Sequence, residues 1–373
     1  SFITYQQLWA NGDFPNSSNS EFGQYYNQLQ LKPILEIKSH VFNGHALKTK
    51  IGIDTSFQNF KQTNVISDSN QNSYALFVMP SVDITDSLTA GTGGRFGYIT
   101  TNGTFSNGNR NSDITPVYAY LFFLEQKWNK HYTTGARISR DYQLPFIDQS
   151  SLTPSAQTTF GLNPQTSISY SLSQKVSYDA WNVGFNAFYM SINNQIVFNP
   201  LIKKTGAQFG GANVNLPPTE QYGIILSGGI QPVEVLGLGG SLTLSKNVFK
   251  NGANMPNIGD VSGNSVPGIS NILAEVHSNY QIIKPINWYL QLLYTGNMYA
   301  DGDFQNSLGQ VSGYFLLNTS VSYKLSNWLF SIRVNNIFNQ RYNYFTTTYD
   351  EQNLAVYPAD GTNGALMVTY EFK

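Results

Sequence analysis

The sequence predicts an all-β fold, an antiparallel transmembrane β-barrel, on three observations. Apolar residues recur at every second position in one segment after another, the two-residue period of a strand. Connections between these segments alternate short and long, as in outer-membrane barrels and unlike the scattered loop lengths of Greek-key sandwiches. Charged residues make up only 12% of the 373 residues while aromatics reach 14%, with 24 Tyr and 24 Phe, against roughly a quarter charged in ordinary soluble domains.

The elements follow in order. Leu29, Leu31, Leu35 and Ile37 face one way and Gln28, Gln30, Lys32, Glu36 and Lys38 the other, so residues 24–41 read as a strand ending at Asn43-Gly44, a tight-turn dipeptide. The chain returns through Leu47, Thr49, Ile51, Ile53 and Phe57 opposite Lys48, Lys50, Gly52 and Asp54. Further strands are expected near 73–84, 88–100, 116–127, 131–140, 166–176, 181–192, 220–231, 235–248, 270–283, 286–299, 313–325, 328–338 and 364–372. Long polar links are expected at 58–72, 101–115, 141–165, 193–219, 249–269, 300–312 and 339–363. Residues 1–23 read as an extracellular loop segment, and 24–373 as a partial transmembrane barrel.

The strand 286–299 shows the solvent assignment best. Trp288, Leu290, Leu292 and Tyr294 lie on one face and Asn287, Tyr289, Gln291, Leu293 and Thr295 on the other. Rings at both ends of an apolar row suit the two membrane interfaces, with leucines at the hydrocarbon level between them. The same pattern recurs where Phe315, Leu317, Val321 and Tyr323 oppose Asn318, Ser320, Ser322 and Lys324, and where Leu366, Val368, Tyr370 and Phe372 oppose Met367, Thr369 and Glu371.

Composition narrows the function classes. A net charge of −1 and the lack of basic runs argue against nucleic acid. With no cysteine, disulfide frameworks, thiolate metal sites and cysteine nucleophiles are excluded, and an oxidising compartment is permitted. No run reaches the ~18 to 20 apolar residues of a membrane helix, yet barrel strands meet lipid only at alternate residues, so a modest mean hydropathy is compatible with spanning. SFITYQQLWANGDF lacks the blocks of a signal peptide, and an odd count of about 15 strands with ends on opposite sides departs from the even-numbered bacterial rule. The expectation is therefore that strands and other segments precede Ser1.

Four stretches, taken together, resemble the barrel of TonB-dependent outer-membrane receptors of the siderophore type. SYALFVMPSVDITDSLTAGTGGRFGY (73–98) is similar to the family's strand pair ending in a Gly-Gly-Arg-aromatic step. ARISRDYQLPF (136–146) with GLNPQTSISYSLSQK (161–175) is similar to its Arg and Pro before a long loop and Asn-Pro at the next strand. GNSVPGISNILAEVHSNY (263–280) resembles the start of a late strand, and LFSIRVNNIFNQRYNYF (329–345) the penultimate strand, with VTYEF resembling the closing one. The order matches the family's; Lys373 after Phe372, and Gln165 where Glu is more usual, depart from it.

The resemblance implies about 15 strands of a barrel of about 22, with the plug domain and the TonB box absent from these residues. It further implies a bacterial outer-membrane location, a siderophore or similar small ligand, and a TonB-type energy-coupling protein reached through the missing N-terminal region. The expected function is import of a scarce nutrient, a ferric siderophore first of all; the alternative is a passive diffusion channel of about 14 to 16 strands.

No catalytic residue, cofactor or metal site is expected, and the chain does not read as an enzyme. No Ser-His pair or carboxylate pair is located by the sequence, and GTGGRFG (91–97) opens no helix, so its glycines read as sites of curvature or close approach. His40 and His45 flank the first turn, His131 another, and His277 sits on the polar side with Glu275 and Asn279, where hydrogen bonding in the lumen is the plainer role. The candidate ligand-binding residues are Arg140, Tyr142, Phe146, Tyr299, Tyr342, Tyr344, Phe345 and Tyr349, because rings and guanidinium groups suit flat, oxygen-rich anionic ligands. Each has a plainer reading, as an interfacial girdle or as loop packing.

Overall fold

The computed structural model describes residues 2–13, 21–41, 44–62, 66–105, 110–146, 162–202, 211–256 and 258–372. These fall into two units. The first holds β1 (Phe2–Asp13), β2 (Glu21–Lys32), β3 (Ile34–Val41), β4 (His45–Gln62), β5 (Ile66–Asp83), β6 (Leu88–Phe105) and most of β7 (Arg110–Lys127). Strands β8 (Tyr132–Gln143), β9 (Gln165–Ser177) and β10 (Trp181–Asn193) are divided between the two units, and a hairpin of β11 (Ile196–Asn199) and β12 (Ala212–Asn215) completes the first.

The second unit is built on β13 (Thr219–Val233) and β14 (Leu236–Phe249), followed by the small hairpin β15 (Asn254–Met255) and β16 (Gly259–Asp260). Then come β17 (Ile272–Ile283), β18 (Ile286–Thr295), the short pair β19 (Met298–Tyr299) and β20 (Gln310–Val311), and β21 (Tyr314–Leu325) with β22 (Trp328–Asn335). Last are β23 (Asn343–Thr348), β24 (Leu354–Pro358) and β25 (Asn363–Tyr370). Among the described residues, 17 of the 25 strands are wall strands and the other eight form four separate hairpins. No helix among them is long and apolar enough to cross a membrane.

Burial along β4 runs opposite to that of a soluble strand. Ile51, Ile53 and Phe57 are exposed, whereas Asp54 is 5% exposed and Ser56 is likewise buried. Leu76, Val78, Phe96, Tyr98, Phe122 and Leu124 continue the exposed apolar surface on β5, β6 and β7. In water such a surface would be a large liability; facing hydrocarbon it is the favourable side, and the polar row is left for the interior face. Ring residues mark the band's margins in the second unit. Trp288 donates its indole N–H to Thr319 (2.7 Å), Trp328 packs on Tyr370 with centroids 4.7 Å apart, and Tyr294 meets Phe315 at 5.6 Å.

The fifteen alternating segments all form wall strands, with three departures. Residues 2–13, expected within an extracellular loop, form β1, antiparallel to β2 from Phe2↔Lys32 to Asp13↔Glu21. FITYQQLWANGD shows no clean apolar row, so its pairing rests on backbone hydrogen bonds that no side-chain pattern announces. Residues 14–20 of that loop, and Asn43 of the first turn, lie outside the described residues.

Second, the segment 24–41 is two strands, because Pro33 offers no N–H to the ladder. The register on β4 is nevertheless continuous from Leu31↔Thr55 to Ile34↔Gly52, so β2 and β3 make one passage. With β1 added, the passages number sixteen among the described residues, and the odd count on which the parity argument rested does not hold.

Third, β4 to β7 each run 18 residues and take in most of the expected links 58–72 and 101–115, of which 63–65 and 106–109 lie outside the described residues. In these outer parts the exposed row is itself polar, at Lys61, Asn70 and Asn102, so the apolar alternation stops while the ladder continues, although the other row stays buried at Phe60, Ser69, Gln71 and Thr101. Glycines in the wall serve close approach: a Cβ on Gly97 would sit 2.3 Å from the Tyr74 carbonyl oxygen, and one on Gly52 would sit 2.5 Å from the Phe77 ring.

Buried apolar side chains of the second unit gather among the connections beside the wall. Phe249 and Phe304 are almost fully buried, with Val261, Val266, Met255 and Ala300, and the two rings meet edge to face at 6.4 Å. Asp303 ties this cluster by accepting from the amides of Ser307 (2.9 Å) and Leu308 (3.1 Å). The expected links 249–269 and 300–312 thus fold into a small structured cap that holds the neighbouring site in place.

Candidate functional site

In the first unit, the interior row of β4 and β6 places Asp54 and Arg95 in contact. Arg95 Nη1 donates to Asp54 Oδ2 at 2.7 Å, and Gln30 Nε2 donates to the other carboxylate oxygen at 3.0 Å. Lys32 Nζ lies 3.7 Å from Asp54 Oδ2. The remaining face of Arg95 reaches Tyr142, whose hydroxyl oxygen accepts from Arg95 Nε at 2.8 Å. Gln71 Nε2 donates to the Pro145 carbonyl at 3.3 Å. The segment that leaves β8 is therefore pinned to the wall, beside a cavity of about 400 Å³ lined by Arg95, Gln58, Gln71, Asp141, Tyr142 and Phe146 among others.

Two of the three expected residues of this region, Tyr142 and Phe146, line that cavity, and Arg140 does not. Arg140 lies with its guanidinium 3.7 Å over the ring of exposed Tyr118 and donates to the Tyr118 carbonyl, a cation–π contact on the wall. The cationic residue of the cavity is Arg95, which the sequence reading passed over. Its signal was present as an isolated Arg on a polar row, with an acid on the polar row two strands away.

In the second unit a larger cavity, about 1140 Å³, opens between the β19–β20 pair and the β23–β24 hairpin. Of the candidate residues of this region, Tyr299, Tyr342, Tyr344 and Phe345 line it; Tyr349 does not and stays 76% exposed. Tyr314 joins them, its ring 4.4 Å from that of Tyr342. Among the described residues the lining carries two formal charges, Asp301 and Arg341.

Asp301 joins the two hairpins through its backbone. Its amide donates to Thr346 O at 2.9 Å, and its carbonyl accepts from Thr348 N at 2.8 Å and Thr347 Oγ1 at 3.1 Å. The floor of the loop is fixed by Asn336, which is 3% exposed and holds φ +50°, a left-handed conformation that Asn tolerates better than most residues. Asn336 Nδ2 donates to Gln340 O at 2.9 Å, its Oδ1 accepts from Gln340 N at 2.8 Å, and its amide donates to Asn318 Oδ1 at 3.0 Å. Thr362 Oγ1 donates to the Asn336 carbonyl at 2.7 Å, closing the two ends of the 336–362 loop on one residue.

Burial pushes the Asp301 carboxyl above the ordinary aspartate range, opposed by the Gly302 amide. Burial also raises the Tyr342 phenol, helped by Tyr314 and Asp360. The side chain of Asn353 and the amide of Gln352 hold Asp350, on the tip of the same hairpin, below the ordinary range. The signs are opposite. A raised carboxyl contributes stability that is complete below about 3.9, the unfolded value, and is lost as pH rises through the folded value; a lowered one contributes above the unfolded value and fails as pH falls through the folded one. On acidification from pH 7 toward 3, amide exchange corrected for its intrinsic rate should therefore slow at Thr348, and quicken at Asn353, whose amide donates to Asp350 at 2.8 Å.

Two of the four histidines have local partners. His277 Nδ1 lies 3.3 Å from Glu275 Oε1 and its ring stacks on Tyr289, while His131 Nδ1 meets Ser177 O at 2.8 Å and its ring stacks on Tyr178. Among the described residues no three His, Asp or Glu side chains converge as a metal site.

Comparisons with known proteins agree with this layout. The profile of the family described as TonB dependent receptor-like, beta-barrel matches residues 2–337. The fold is similar to that of the siderophore receptor PiuA from Acinetobacter baumannii, with TM-score 0.75 and 13% identity over 99% of this chain and 62% of that one. It is similar also to the ferric yersiniabactin uptake receptor FyuA from Yersinia pestis, with TM-score 0.72 and 14% identity over 99% and 58%. The copper transporter OprC matches with TM-score 0.74 and 12% identity over 99% and 61%. The chain thus spans about three-fifths of the length of these structures, and no curated protein sequence matches it. The chain belongs to the TonB-dependent receptor β-barrel family, whose members are transporters of the Gram-negative outer membrane and not enzymes.

Proposed function

We propose that this chain supplies the wall and ligand-collecting loops of an outer-membrane importer energised by a TonB-type protein, and that its cargo is a metal chelate, a ferric siderophore first of all. The observation that carries the reading is the 1140 Å³ cavity rimmed by Tyr299, Tyr314, Tyr342, Tyr344 and Phe345, set on a wall whose apolar row is turned outward. Rings offer flat contact area to the organic shell of a chelate, and phenol hydroxyls meet its oxygen atoms. Siderophore uptake in the names of PiuA and FyuA supports iron, and the name of OprC supports a wider range of metals. Outer-membrane lipid is the proposed partner of the apolar row, and energy coupling belongs to the whole receptor.

The experiment is uptake of radiolabelled iron and copper chelates by cells with and without the gene, with and without an active TonB system. The account expects uptake of at least one chelate to disappear in both the gene deletion and the TonB-deficient strain. Unchanged uptake of every chelate overturns it, and uptake that needs the gene but not TonB favours a passive channel.

A further inference from the structure

The larger cavity contains a feature that a general affinity for anionic chelates does not use. The more buried of its two charges is a carboxylate: Asp301 is half-buried, whereas Arg341, the other charge in the lining, is exposed. A charge interacts more strongly as the surrounding dielectric falls, so the half-buried carboxylate outweighs the exposed guanidinium for a group that reaches the inner part of the cavity. Among the described residues Asp301 has no ion-pair partner; Tyr299 stands two residues before it, and Tyr299, Tyr314 and Tyr342 line the same cavity.

We propose, building on the reading of this cavity as the ligand site, that Asp301 and the rings of Tyr299, Tyr314 and Tyr342 form a subsite for a protonated alkylamine carried by the imported ligand. An ammonium donates charge-assisted hydrogen bonds to the carboxylate, and its methylene groups and charge are both attracted to ring faces. The position is preorganised, since the Asp301 backbone is held by Thr346, Thr347 and Thr348 on one hairpin while the Tyr299 carbonyl accepts from Gly268 at 2.9 Å. Gly268, at φ +75°, brings its backbone beside the carboxylate, with Asp301 Oδ1 4.0 Å from where a Cβ on Gly268 would stand. The amine needs no loss of its proton, and no covalent step is involved.

The test compares three probes of one size, n-butylammonium, 1-butanol and butyrate, titrated against the whole folded protein by saturation-transfer NMR. The subsite predicts that n-butylammonium binds at least tenfold more tightly than the other two, and that Asp301→Asn removes that preference. The Asn variant keeps every backbone contact of residue 301 and an oxygen for the Gly302 amide, and its unchanged strand content by circular dichroism verifies the fold. Tyr342→Leu should weaken the ammonium by several fold without restoring butyrate. Equal binding of the alcohol or the acid, or an unchanged preference in Asp301→Asn, overturns the amine subsite while leaving the cavity as a ligand site. Binding of none of the three overturns the subsite, and the uptake experiment then judges the broader reading independently.

Discussion

Replacing Arg95 by Ala is expected to destabilise the folded protein by about 3 kcal/mol, the scale for breaking a buried ion pair from one side. Asp54 is 5% exposed, and Arg95 supplies its shortest contact at 2.7 Å. Gln30 at 3.0 Å and Lys32 at 3.7 Å would remain, which keeps the loss below the upper end of that range. The cost comes chiefly from leaving the carboxylate desolvated and under-paired, so Asp54→Leu combined with Arg95→Met should recover much of it. Urea unfolding in detergent micelles measures all three variants. Deuterium uptake at residues 142–146 should rise in Arg95→Ala, because Tyr142 loses its donor. A cost within about 0.5 kcal/mol, the ordinary range of a surface substitution, would show that the pair does not organise this wall.

Asn336→Ala is expected to release the loop that frames the larger cavity. It removes the side chain that both donates to and accepts from Gln340, and it puts Ala at φ +50°. A buried group left without its partner costs about 1 to 3 kcal/mol, and a left-handed non-glycine residue about 1 to 2, so the local loss is about 2 to 5 kcal/mol. Most of it should appear as local opening, with faster exchange from Gln340 to Thr348 and little change in β21 and β22. Asn336→Gly relieves the backbone strain and loses the same hydrogen bonds, so it should fall between the native protein and Asn336→Ala. Equal behaviour of the two variants would assign the whole effect to the side chain.

What the sequence revealed divides along the solvent boundary. Where a strand faces hydrocarbon on one side, the lipid enforces a two-residue alternation, and segments such as 286–295 and 314–325 are readable one at a time. Where the exposed row is polar, as at Lys61, Asn70 and Asn102, the apolar alternation is gone, so the outer parts of β4 to β7 left no pattern although their ladders continue, and β1, with no clean apolar row, pairs with β2 all the same. The hairpins β19–β20 and β23–β24 are likewise set by local turns and by Asp301, whose backbone contacts are invisible in a side-chain pattern.

The site follows the same division. Aromatics leaving the wall, Tyr299, Tyr342, Tyr344 and Phe345, could be singled out because rings suit flat, oxygen-rich ligands, and all four stand in the lining of one cavity, Tyr344 with 83% of its surface exposed. Arg140 was drawn instead to the ring of Tyr118, a neighbour across strands that only the register reveals. Arg95 and Asp54 stand 41 positions apart with β5 between their strands, so no sequence window contains the pair. Tyr314 and Asp301 acquire their place from the fold of the loops, after the wall is built.

Leu292 and Leu293 offer the most direct measurement, since the two neighbours share a chemistry and differ only in the row they occupy. Leu292 lies in the exposed row with Trp288, and Leu293 stands opposite Glu275 in the register of β17 and β18. The chain has no cysteine, so a nitroxide can be placed at either position through a single Leu→Cys substitution and its collisions read in bilayers. The label at 292 is predicted to collide with dissolved oxygen and be shielded from a water-soluble nickel chelate, and the label at 293 to show the reverse. Equal access of the nickel chelate to both, or shielding of 293 with exposure of 292 to water, would contradict the assignment of lipid to the apolar row.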